Sequence, residues 1–213
     1  MNERDLSALR REYAAGGLDE SDLQDEPMAM FRSWMHDVVV AGLHEPNAMV
    51  VATADSSGAP SARMVLLKAL DERGFVFFTN YESRKAVELL ANPRCALLFC
   101  WHELERQVRV EGEAHQLSGA ENDAYFATRP RASQLGAWAS PQSQVVAGRP
   151  QLDAAYDEVA ARFPDQVPTP DHWGGFRVRP AAVEFWQGRR GRMHDRLRYR
   201  RVDDAWAVER LAP

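Results

Sequence analysis

Two hydrophobic periodicities divide the chain close to Ala48. Before that position, residues 27–43 place apolar side chains every three or four positions, as an amphipathic helix does. These apolar residues are Met30, Phe31, Trp34, Val38 and Leu43. After Ala48, the apolar runs AMVVATAD, SARMVLLKAL and FVFFTN are separated by the polar turns SSGAP and DERG. The pattern predicts a helix followed by a β-meander.

The N-terminal segment also has helical spacing, over residues 4–15. The pair Gly16-Gly17 and an acidic stretch as far as Pro27 separate it from the next helix. Glycine pairs interrupt helices, and chain termini are often loosely held. We therefore expect residues 1–27 to form a mobile N-terminal arm.

The rest of the chain alternates short helices with strands. Ser83 is a candidate N-cap for a helix that closes at Asn92, and helices are also predicted for 118–130, ended by Pro130, and for 151–164. Strands are predicted for 94–102, 106–118, 176–188, 192–201 and 205–211. The sum is a mainly β (α+β) fold over residues 1–213: a single domain with an antiparallel barrel or sheet and peripheral helices.

Composition narrows the class of protein. Hydrophobic residues make up 45% and charged residues 27% of the chain. No run approaches the roughly 18 consecutive apolar residues of a membrane span, and the charged N-terminus does not read as a secretory signal. We expect a soluble cytoplasmic protein with no membrane partner.

Positive charge is concentrated near the C-terminus, although the net charge is −5. The segment from Arg177 to Arg201 is dense in arginine, with apolar and acidic residues between. Such a stretch binds nucleic acid, binds a small anion or forms a solvated face. Because the chain is acidic overall and its aromatic residues follow strand periods, we expect no nucleic-acid partner.

Lysine is nearly absent: among the 26 lysines and arginines, only Lys68 and Lys85 are lysines. A compact, flexible ammonium differs from a planar guanidinium, so a lysine kept in an arginine background can mark a ligand site. Chance retention is the alternative.

The first lysine closes the segment RMVLLK, a strand with Arg63 at one end and Lys68 at the other. Positions five apart point to opposite faces of a regular strand. Both cations therefore reach one ligand only if the ligand wraps the strand end or a bulge intervenes. Two basic residues flanking a buried strand are the alternative reading.

The second lysine belongs to TNYESRK, which spans Thr79 to Lys85 at the point where a strand ends and a helix begins. Free N–H groups and the positive end of a helix favour an anion. Arg84 and Lys85 in the first turn oppose the helix dipole unless an anion compensates them. A bound phosphate fits this requirement, and a solvated face is the alternative.

Two further groups of polar residues are candidates for ligand contacts. Tyr125, Arg129 and Ser133 are spaced four apart and suit a phosphate monoester, although Pro130 makes the last step a turn and such a trio also arises by chance. Arg192 and His194 lie near Arg196, and an extended backbone would place all three on one strand face. They would need an anion or an electron-rich ring among them, and an exposed barrel rim is the alternative.

Several cofactor motifs do not occur in the sequence. The histidines are scattered and form no metal-ligand spacing, so we expect no metal site. The sequence also lacks a GxGxxG motif after a strand, a Walker loop and a serine nucleophile elbow. Dinucleotide and ATP chemistry are therefore not expected.

Eight segments of the chain, in their order, resemble the pyridoxamine 5′-phosphate oxidase family. The resemblance rests on LRREY, RMVLLK, FFTNYESRK, LERQV, YFATRPRASQLGAWAS, WGGFRV, EFWQGRRGRMHDR and AWAVERLAP, and covers nearly the whole chain. It implies a split β-barrel that binds FMN, built as a homodimer with FMN at the subunit interface.

The resemblance also implies roles for individual residues. FMN contacts fall on Arg63, Lys68, Phe78, Thr79, Arg84, Lys85, Gln107, Gln142, Ser143, Trp186 and Arg196. The substrate phosphate falls to Lys68, Tyr125, Arg129 and Ser133, the catalytic positions beside the substrate ring are Arg192 and His194, and Arg10 and Tyr13 close the site. Where some family members have tyrosine this chain has Phe78, and we expect the contact there to run through the backbone.

The implied reaction is the oxidation of pyridoxamine or pyridoxine 5′-phosphate by O₂ to pyridoxal 5′-phosphate and hydrogen peroxide, within vitamin B6 salvage. Another flavin reductase or oxidase on the same fold is one rival. The trio Tyr125, Arg129 and Ser133 argues against it, because the trio provides a second phosphate site. A binding module that only stores FMN or pyridoxal phosphate is the other rival.

Overall fold

The structure is a computed structural model that describes residues 12–13 and 16–213. Strands dominate this part of the chain, and the helices lie between them in sequence. The elements in chain order are α1 (Pro27–Val40), β1 (Ala48–Ala54), β2 (Pro60–Leu66), β3 (Ala69–Asp71), β4 (Gly74–Asn80), α2 (Arg84–Ala91), β5 (Arg94–Trp101), β6 (Arg106–Gln116), α3 (Gly119–Ala127), α4 (Arg131–Ala139), α5 (Arg149–Arg162), β7 (Trp173–Gln187), β8 (Asp195–Val202) and β9 (Ala205–Arg210).

The strands form a sheet in the order β2-β1-β5-β6-β7-β4-β3, and β8 joins β7 to β9. The long strand β7 has two antiparallel partners: its first half pairs with β4 and its second half with β8. The first register sets Thr79 opposite Gly174, and the second sets Trp186 opposite Arg196. Several predicted cofactor residues therefore lie on strands, where their backbone is fixed by ladder hydrogen bonds.

The contacts within the chain divide it into two compact units. The first unit contains the described part of residues 1–49 together with Leu97–Glu111 and Pro180–Pro213. The second unit contains Val50–Ala96 and Gly112–Arg179. The single domain and the mobile arm expected from the sequence stay predictions.

Helix α1 contributes the apolar face that the sequence predicts to the core of the first unit. Phe31 meets Phe99 edge-on with ring centroids 4.8 Å apart, and Trp34 meets Phe185 at 5.1 Å. The helix ends at Val40, three residues earlier than predicted, because Gly42 adopts a left-handed φ of 70° just after the C-cap.

A second core lies in the second unit, where α3 and α4 pack near the start of β7. Its buried members are Phe126, Leu135, Val167 and Trp173. Phe78 of β4 and Tyr125 of α3 pack against this core. The same core therefore supports two residues that the sequence assigns to ligand contacts.

Two local predictions were wrong. The sequence predicts a turn after Pro130, whereas Pro130 is the N-cap of a further helix, α4, a position where its missing N–H is not needed. An extended backbone from Arg192 to Arg196 is also wrong, because Gly191 and Arg192 have left-handed φ values of 64° and 61° and β8 begins only at Asp195. The helix predicted for residues 4–15 lies outside the described residues except at positions 12 and 13, which are not helical.

Candidate cofactor and substrate site

The second unit contains a cavity of about 700 Å³. Four cationic side chains line it: Arg63, Lys68, Lys85 and Arg129. No carboxylate is among the lining residues in the described part of the chain. A concave site of this size with four cations and no carboxylate on its wall suits a phosphorylated small molecule.

Arg63 and Lys68 line this cavity together, although positions five apart on a regular strand point to opposite faces. The reason is that β2 ends at Leu66, so Lys68 lies in the break between β2 and β3. The backbone N–H of Lys68 donates to the Val76 carbonyl at 2.8 Å, which fixes this break beside β4. Both cations can therefore face one ligand without a bulge.

Lys85 gives the strongest indication of an anion site, because its side chain is charged and yet only 8% exposed. Its Nζ donates to Thr79 Oγ1 at 2.9 Å, to Gln142 Oε1 at 3.1 Å and to Ser83 Oγ at 3.3 Å, all neutral acceptors. Burial, with a smaller contribution from the charge of Arg63, lowers the pKa of Lys85 to about 8. A buried ammonium without a carboxylate partner among the described residues is stabilised by a bound anion.

The neighbouring Arg84 is arranged differently. Its Nε donates to Glu88 Oε1 at 2.8 Å, one turn along α2, and it is not among the residues that line the cavity. Glu88 thus compensates the first-turn cation that opposes the helix dipole. The FMN contact predicted for Arg84 stays a prediction.

The trio predicted for the substrate phosphate lines the same cavity. Tyr125 lies on α3, Ser133 lies on α4, and Arg129 lies in the short connection between these helices. The helix that follows Pro130 keeps Ser133 on the cavity wall, although the sequence predicts a turn there. The structure therefore brings these three residues together in one cavity with Lys68 and Lys85.

Arg129 is held by aromatic rings rather than by acids. Its guanidinium lies 4.6 Å from the Trp173 ring centroid and 5.5 Å from that of Phe126. Its Nη1 is buried without a hydrogen-bond partner among the described residues. Burial lowers the pKa of Arg129, against an opposing effect of Tyr125. A buried donor without a partner in the protein is suited to bind an oxygen atom of an anionic ligand.

Phe78 forms part of a ring stack beside this guanidinium. It lies parallel to Tyr125 at 3.8 Å and to Trp173 at 5.2 Å. A Cβ at Gly175, its partner in the sheet, would lie only 2.9 Å from Phe78 Cε1. The glycine therefore makes room for the stack, which orients Tyr125 at the cavity wall.

The remaining predicted residues lie in the first unit. His194 is packed at 4.6 Å from the Trp186 ring and at 5.3 Å from the Tyr13 ring. Its Nδ1 accepts a hydrogen bond from the Arg189 backbone N–H at 3.1 Å. The neutral imidazole therefore carries its proton on Nε2, which leaves one N–H as a donor.

Arg196 of the first unit is paired with a buried acid. Its Nε donates to Glu184 Oε1 at 2.7 Å, and Arg109 contacts Glu184 Oε2 at 2.7 Å. Arg192 is exposed at its left-handed turn, and Gln107 lies half-buried on β6. None of these side chains lines the cavity of the second unit, and Arg10 lies outside the described residues.

Sequence reasoning missed residues that shape the cavity. Trp173 lines it and supports Arg129, while Thr53, Ser61 and Glu88 surround the guanidinium of Arg63. Trp173 is part of the quoted segment WGGFRV, so a signal for it existed. The other three are common residue types outside any motif, and only the fold brings them together.

Two general features of the described residues bear on the class of protein. No helix in this part of the chain is long and apolar enough to cross a membrane. No group of three or more histidine, cysteine, aspartate and glutamate side chains in the described ranges is arranged to hold a metal ion.

Known proteins match the chain over nearly its whole length. Residues 35–163 match the family described as pyridoxamine 5′-phosphate oxidase, and residues 173–213 match the region described as the pyridoxine 5′-phosphate oxidase C-terminal dimerisation region. A pyridoxine/pyridoxamine 5′-phosphate oxidase of Nocardioides sp. is 62% identical over 100% of both chains. The protein of that name from Rubrobacter xylanophilus is 57% identical over 99% of this chain and 97% of its own.

Solved structures support the fold. PhzG from Burkholderia lata, in complex with tetrahydrophenazine-1-carboxylic acid, has a TM-score of 0.88 at 32% identity and covers 93% of this chain and 99% of its own. A pyridoxamine 5′-phosphate oxidase-related, FMN-binding protein from Nostoc punctiforme has a TM-score of 0.72 at 17% identity, covers 90% of this chain and 100% of its own, and supports the fold alone.

The architecture is therefore that of the split-barrel oxidoreductases, mainly β with peripheral helices, as the sequence predicts. The chain belongs to the pyridoxamine 5′-phosphate oxidase family. The resemblance and the enzyme class expected from the sequence are confirmed.

Proposed function

We propose that this enzyme oxidises pyridoxamine 5′-phosphate and pyridoxine 5′-phosphate with O₂ to pyridoxal 5′-phosphate and hydrogen peroxide, and that it serves vitamin B6 salvage in the cytoplasm. One observation carries the proposal: a single cavity is lined by two sets of candidate phosphate ligands, Lys85 at the start of α2 and the trio Tyr125, Arg129 and Ser133 from α3, α4 and their connection. A flavin mononucleotide and a phosphorylated substrate together need two such sets.

FMN is the cofactor. When bound, it supplies a flavin ring that accepts a hydride from C4′ of the substrate and is reoxidised by O₂. In the second unit the residues assigned to it are Arg63, Lys68, Phe78, Thr79, Arg84, Lys85, Gln142 and Ser143. Lys85 fits the cofactor phosphate best, since its ammonium is buried and its partners in the described chain are neutral.

The substrate phosphate is assigned to Lys68, Tyr125, Arg129 and Ser133. Arg129 supplies a desolvated charge, and the two hydroxyls supply neutral donors of adjustable direction. The phosphate does not react, but its tight binding holds the substrate with C4′ at the flavin. The binding free energy of the phosphate is thus used to orient the reacting carbon.

Arg192 and His194 of the first unit are assigned to the reacting end of the substrate. Arg192 orients the amine or the alcohol, and His194 donates from Nε2 because its Nδ1 is occupied by the Arg189 N–H. Arg10 and Tyr13 close the site. No protein base is required: loss of hydride from the amine leaves an imine, which water hydrolyses to the aldehyde and ammonia.

We further propose a homodimer with FMN at the subunit interface, completed by Gln107, Trp186 and Arg196. The match of residues 173–213 to a dimerisation region supports this arrangement. Both Trp186 and Arg196 belong to that matched region, on paired positions of β7 and β8.

A second candidate function comes from the likeness to PhzG, a solved structure that holds a reduced phenazine carboxylic acid. A tricyclic acid of that kind carries a carboxylate but no phosphate. A carboxylate offers fewer acceptor oxygens and less negative charge to Tyr125, Arg129 and Ser133 than a phosphate does. We therefore favour the B6 vitamers.

The test is aerobic turnover of the purified enzyme with FMN, following pyridoxal 5′-phosphate, hydrogen peroxide and O₂ consumption. We expect equimolar product and peroxide from pyridoxine 5′-phosphate, and no reaction with unphosphorylated pyridoxine at the same concentration. Faster oxidation of tetrahydrophenazine-1-carboxylic acid than of either B6 vitamer would favour the second candidate and contradict the proposal.

A further inference from the structure

A buried polar cluster lies behind Arg63, outside the cavity lining. Its centre is Glu88 of α2, which is 5% exposed and points back towards β1 and β2. Thr53 of β1 donates to Glu88 Oε2, and Ser61 of β2 donates to the same oxygen at 2.6 Å. Burial raises the pKa of Glu88, but the hydrogen bonds from Ser61, Thr53 and Arg84 outweigh this effect and hold the pKa at about 2.

The two hydroxyls connect this carboxylate to the guanidinium of Arg63. Arg63 Nη1 donates to Thr53 Oγ1 at 2.6 Å, and Nη2 donates to Ser61 Oγ. Each hydroxyl has one proton, and that proton is committed to Glu88. Each hydroxyl oxygen is therefore left as an acceptor facing Arg63, so the carboxylate fixes the direction of both bonds.

The direct contact between Glu88 and Arg63 is longer, at 3.5 Å. The guanidinium is thus held mainly through the two hydroxyls, with a further bond from Nη1 to the Val51 carbonyl at 3.3 Å, and neither hydroxyl residue lines the cavity.

We propose that Glu88, Thr53 and Ser61 are positioning residues that lock the guanidinium of Arg63 towards the phosphate of FMN. The inference rests on the proposed function for the identity of the ligand. None of the three residues lines the cavity, whereas Arg63 does, so their effect on the ligand is transmitted through Arg63.

The test compares the affinities of the cofactor-free full chain for FMN and for riboflavin, which has the same ring system without a phosphate. Thr53→Val removes one hydroxyl without a change of charge or shape. Glu88→Asp keeps the charge but withdraws the carboxylate from both hydroxyls. For each variant we expect FMN affinity to fall by about tenfold, with riboflavin affinity unchanged.

A double-mutant cycle makes the test specific for Arg63. In an Arg63→Ala background, Thr53→Val should cause no further loss of FMN affinity. Ser61→Ala, at a less buried position, repeats the measurement if Thr53→Val does not fold. Glu158→Asp on the exposed face of α5 is the matched control for the shortened acid and should leave both affinities unchanged.

An equal loss of FMN and riboflavin affinity would overturn the inference, since it would indicate a general structural role. Unchanged FMN affinity, or an effect that persists without Arg63, would overturn it as well. A wild-type chain that binds FMN but does not oxidise the phosphorylated vitamers would contradict the proposed function alone, because the affinity ratio does not depend on turnover.

Discussion

The two units treat their cationic side chains differently. In the second unit, Lys85 meets neutral acceptors and Arg129 meets aromatic rings, so both charges are desolvated without a carboxylate partner among the described residues. In the first unit, Arg196 pairs with Glu184 and Arg189 pairs with Asp195. Lys85 and Arg129 of the second unit are thus available to bind anions, although other arginines of that unit, such as Arg149, are paired with acids. In the first unit, the charges of Arg196 and Arg189 are neutralised by acids of the same unit.

This difference assigns different tasks to the units. Burying an unpaired cation costs free energy, and a bound phosphate offsets that cost, so such cations contribute to affinity. Paired cations and packed rings contribute orientation. The tilted contact of the His194 ring with Trp186, and the bond from the Arg189 N–H that fixes its Nδ1 as an acceptor, are of the second kind.

The largest effect is expected for Arg129→Met, which keeps an apolar stem against Trp173 but removes the charge. We expect the KM for pyridoxamine 5′-phosphate to rise by about 10- to 100-fold, because a charge-assisted hydrogen bond to the substrate phosphate is lost. FMN affinity should not change. Steady-state kinetics and a flavin titration measure the two quantities.

The matched control is Arg149→Met on α5, where the arginine is exposed and pairs with Asp153. It should alter neither quantity. A parallel loss of FMN affinity in Arg129→Met would contradict the separation of the two phosphate sites.

A smaller effect is expected from the pKa of Lys85, which is lowered from 10.5 to about 8 in the cofactor-free protein. Phosphate binding needs the charged ammonium, so FMN affinity should fall by up to about tenfold per pH unit above that pKa. Between the two pKa values the unfolded chain holds a proton that the folded chain has lost. The stability of the cofactor-free protein should therefore rise with pH across this window.

Flavin titrations and thermal unfolding across this pH range check both signs. In Lys85→Met both pH dependences should disappear. Wild-type FMN affinity that stays constant throughout the window would show that Lys85 does not bind the phosphate.

Arg196→Met examines the first unit. Glu184 would lose one of its two partners while it stays buried, and Arg109 would remain. We expect the free energy of unfolding of the cofactor-free protein to fall by about 1–2 kcal/mol. Arg129→Met should change it much less. A stability loss larger for Arg129→Met than for Arg196→Met would reverse the comparison between the units.

The smallest effect is expected for Phe78→Tyr. The ring stack with Tyr125 and Trp173 accepts a tyrosine ring in the same plane, and the expected cofactor contact runs through the backbone. FMN affinity should change by less than about twofold, a difference well below that of one hydrogen bond. A tenfold change in a flavin titration would show that the hydroxyl itself takes part.

Much of the fold could be predicted because hydrophobic periodicity reports burial. The apolar stripe of α1 and the runs that became β1 and β4 are examples, and both lysines, singled out by composition, line the cavity. Local backbone signals were weaker. Pro130 was interpreted as the end of a helix although it also begins α4, and Gly191 gave no sign that Arg192 would share its left-handed conformation.

The candidate site could be predicted only in part. The spacing of Tyr125, Arg129 and Ser133 indicates a common face. Whether Arg63 and Lys68 face the same ligand, in contrast, depends on where β2 ends, and the sequence does not show this. The cluster around Glu88 joins α2 to the hairpin strands β1 and β2, with Glu88 35 residues from Thr53 and 27 residues from Ser61. No local pattern encodes such a contact, because it arises only when the sheet forms.

The central claim is that the cavity binds a phosphorylated substrate beside FMN, and single-turnover chemistry without oxygen tests it most directly. The enzyme loaded with FMN is mixed anaerobically with pyridoxamine 5′-phosphate or with pyridoxamine, and the visible absorption of the oxidised flavin is followed before air is admitted. We predict rapid bleaching by the phosphorylated amine only, with equimolar pyridoxal 5′-phosphate, and hydrogen peroxide once air enters. A flavin that stays oxidised with pyridoxamine 5′-phosphate, or that is reduced equally fast by pyridoxamine, would contradict the account.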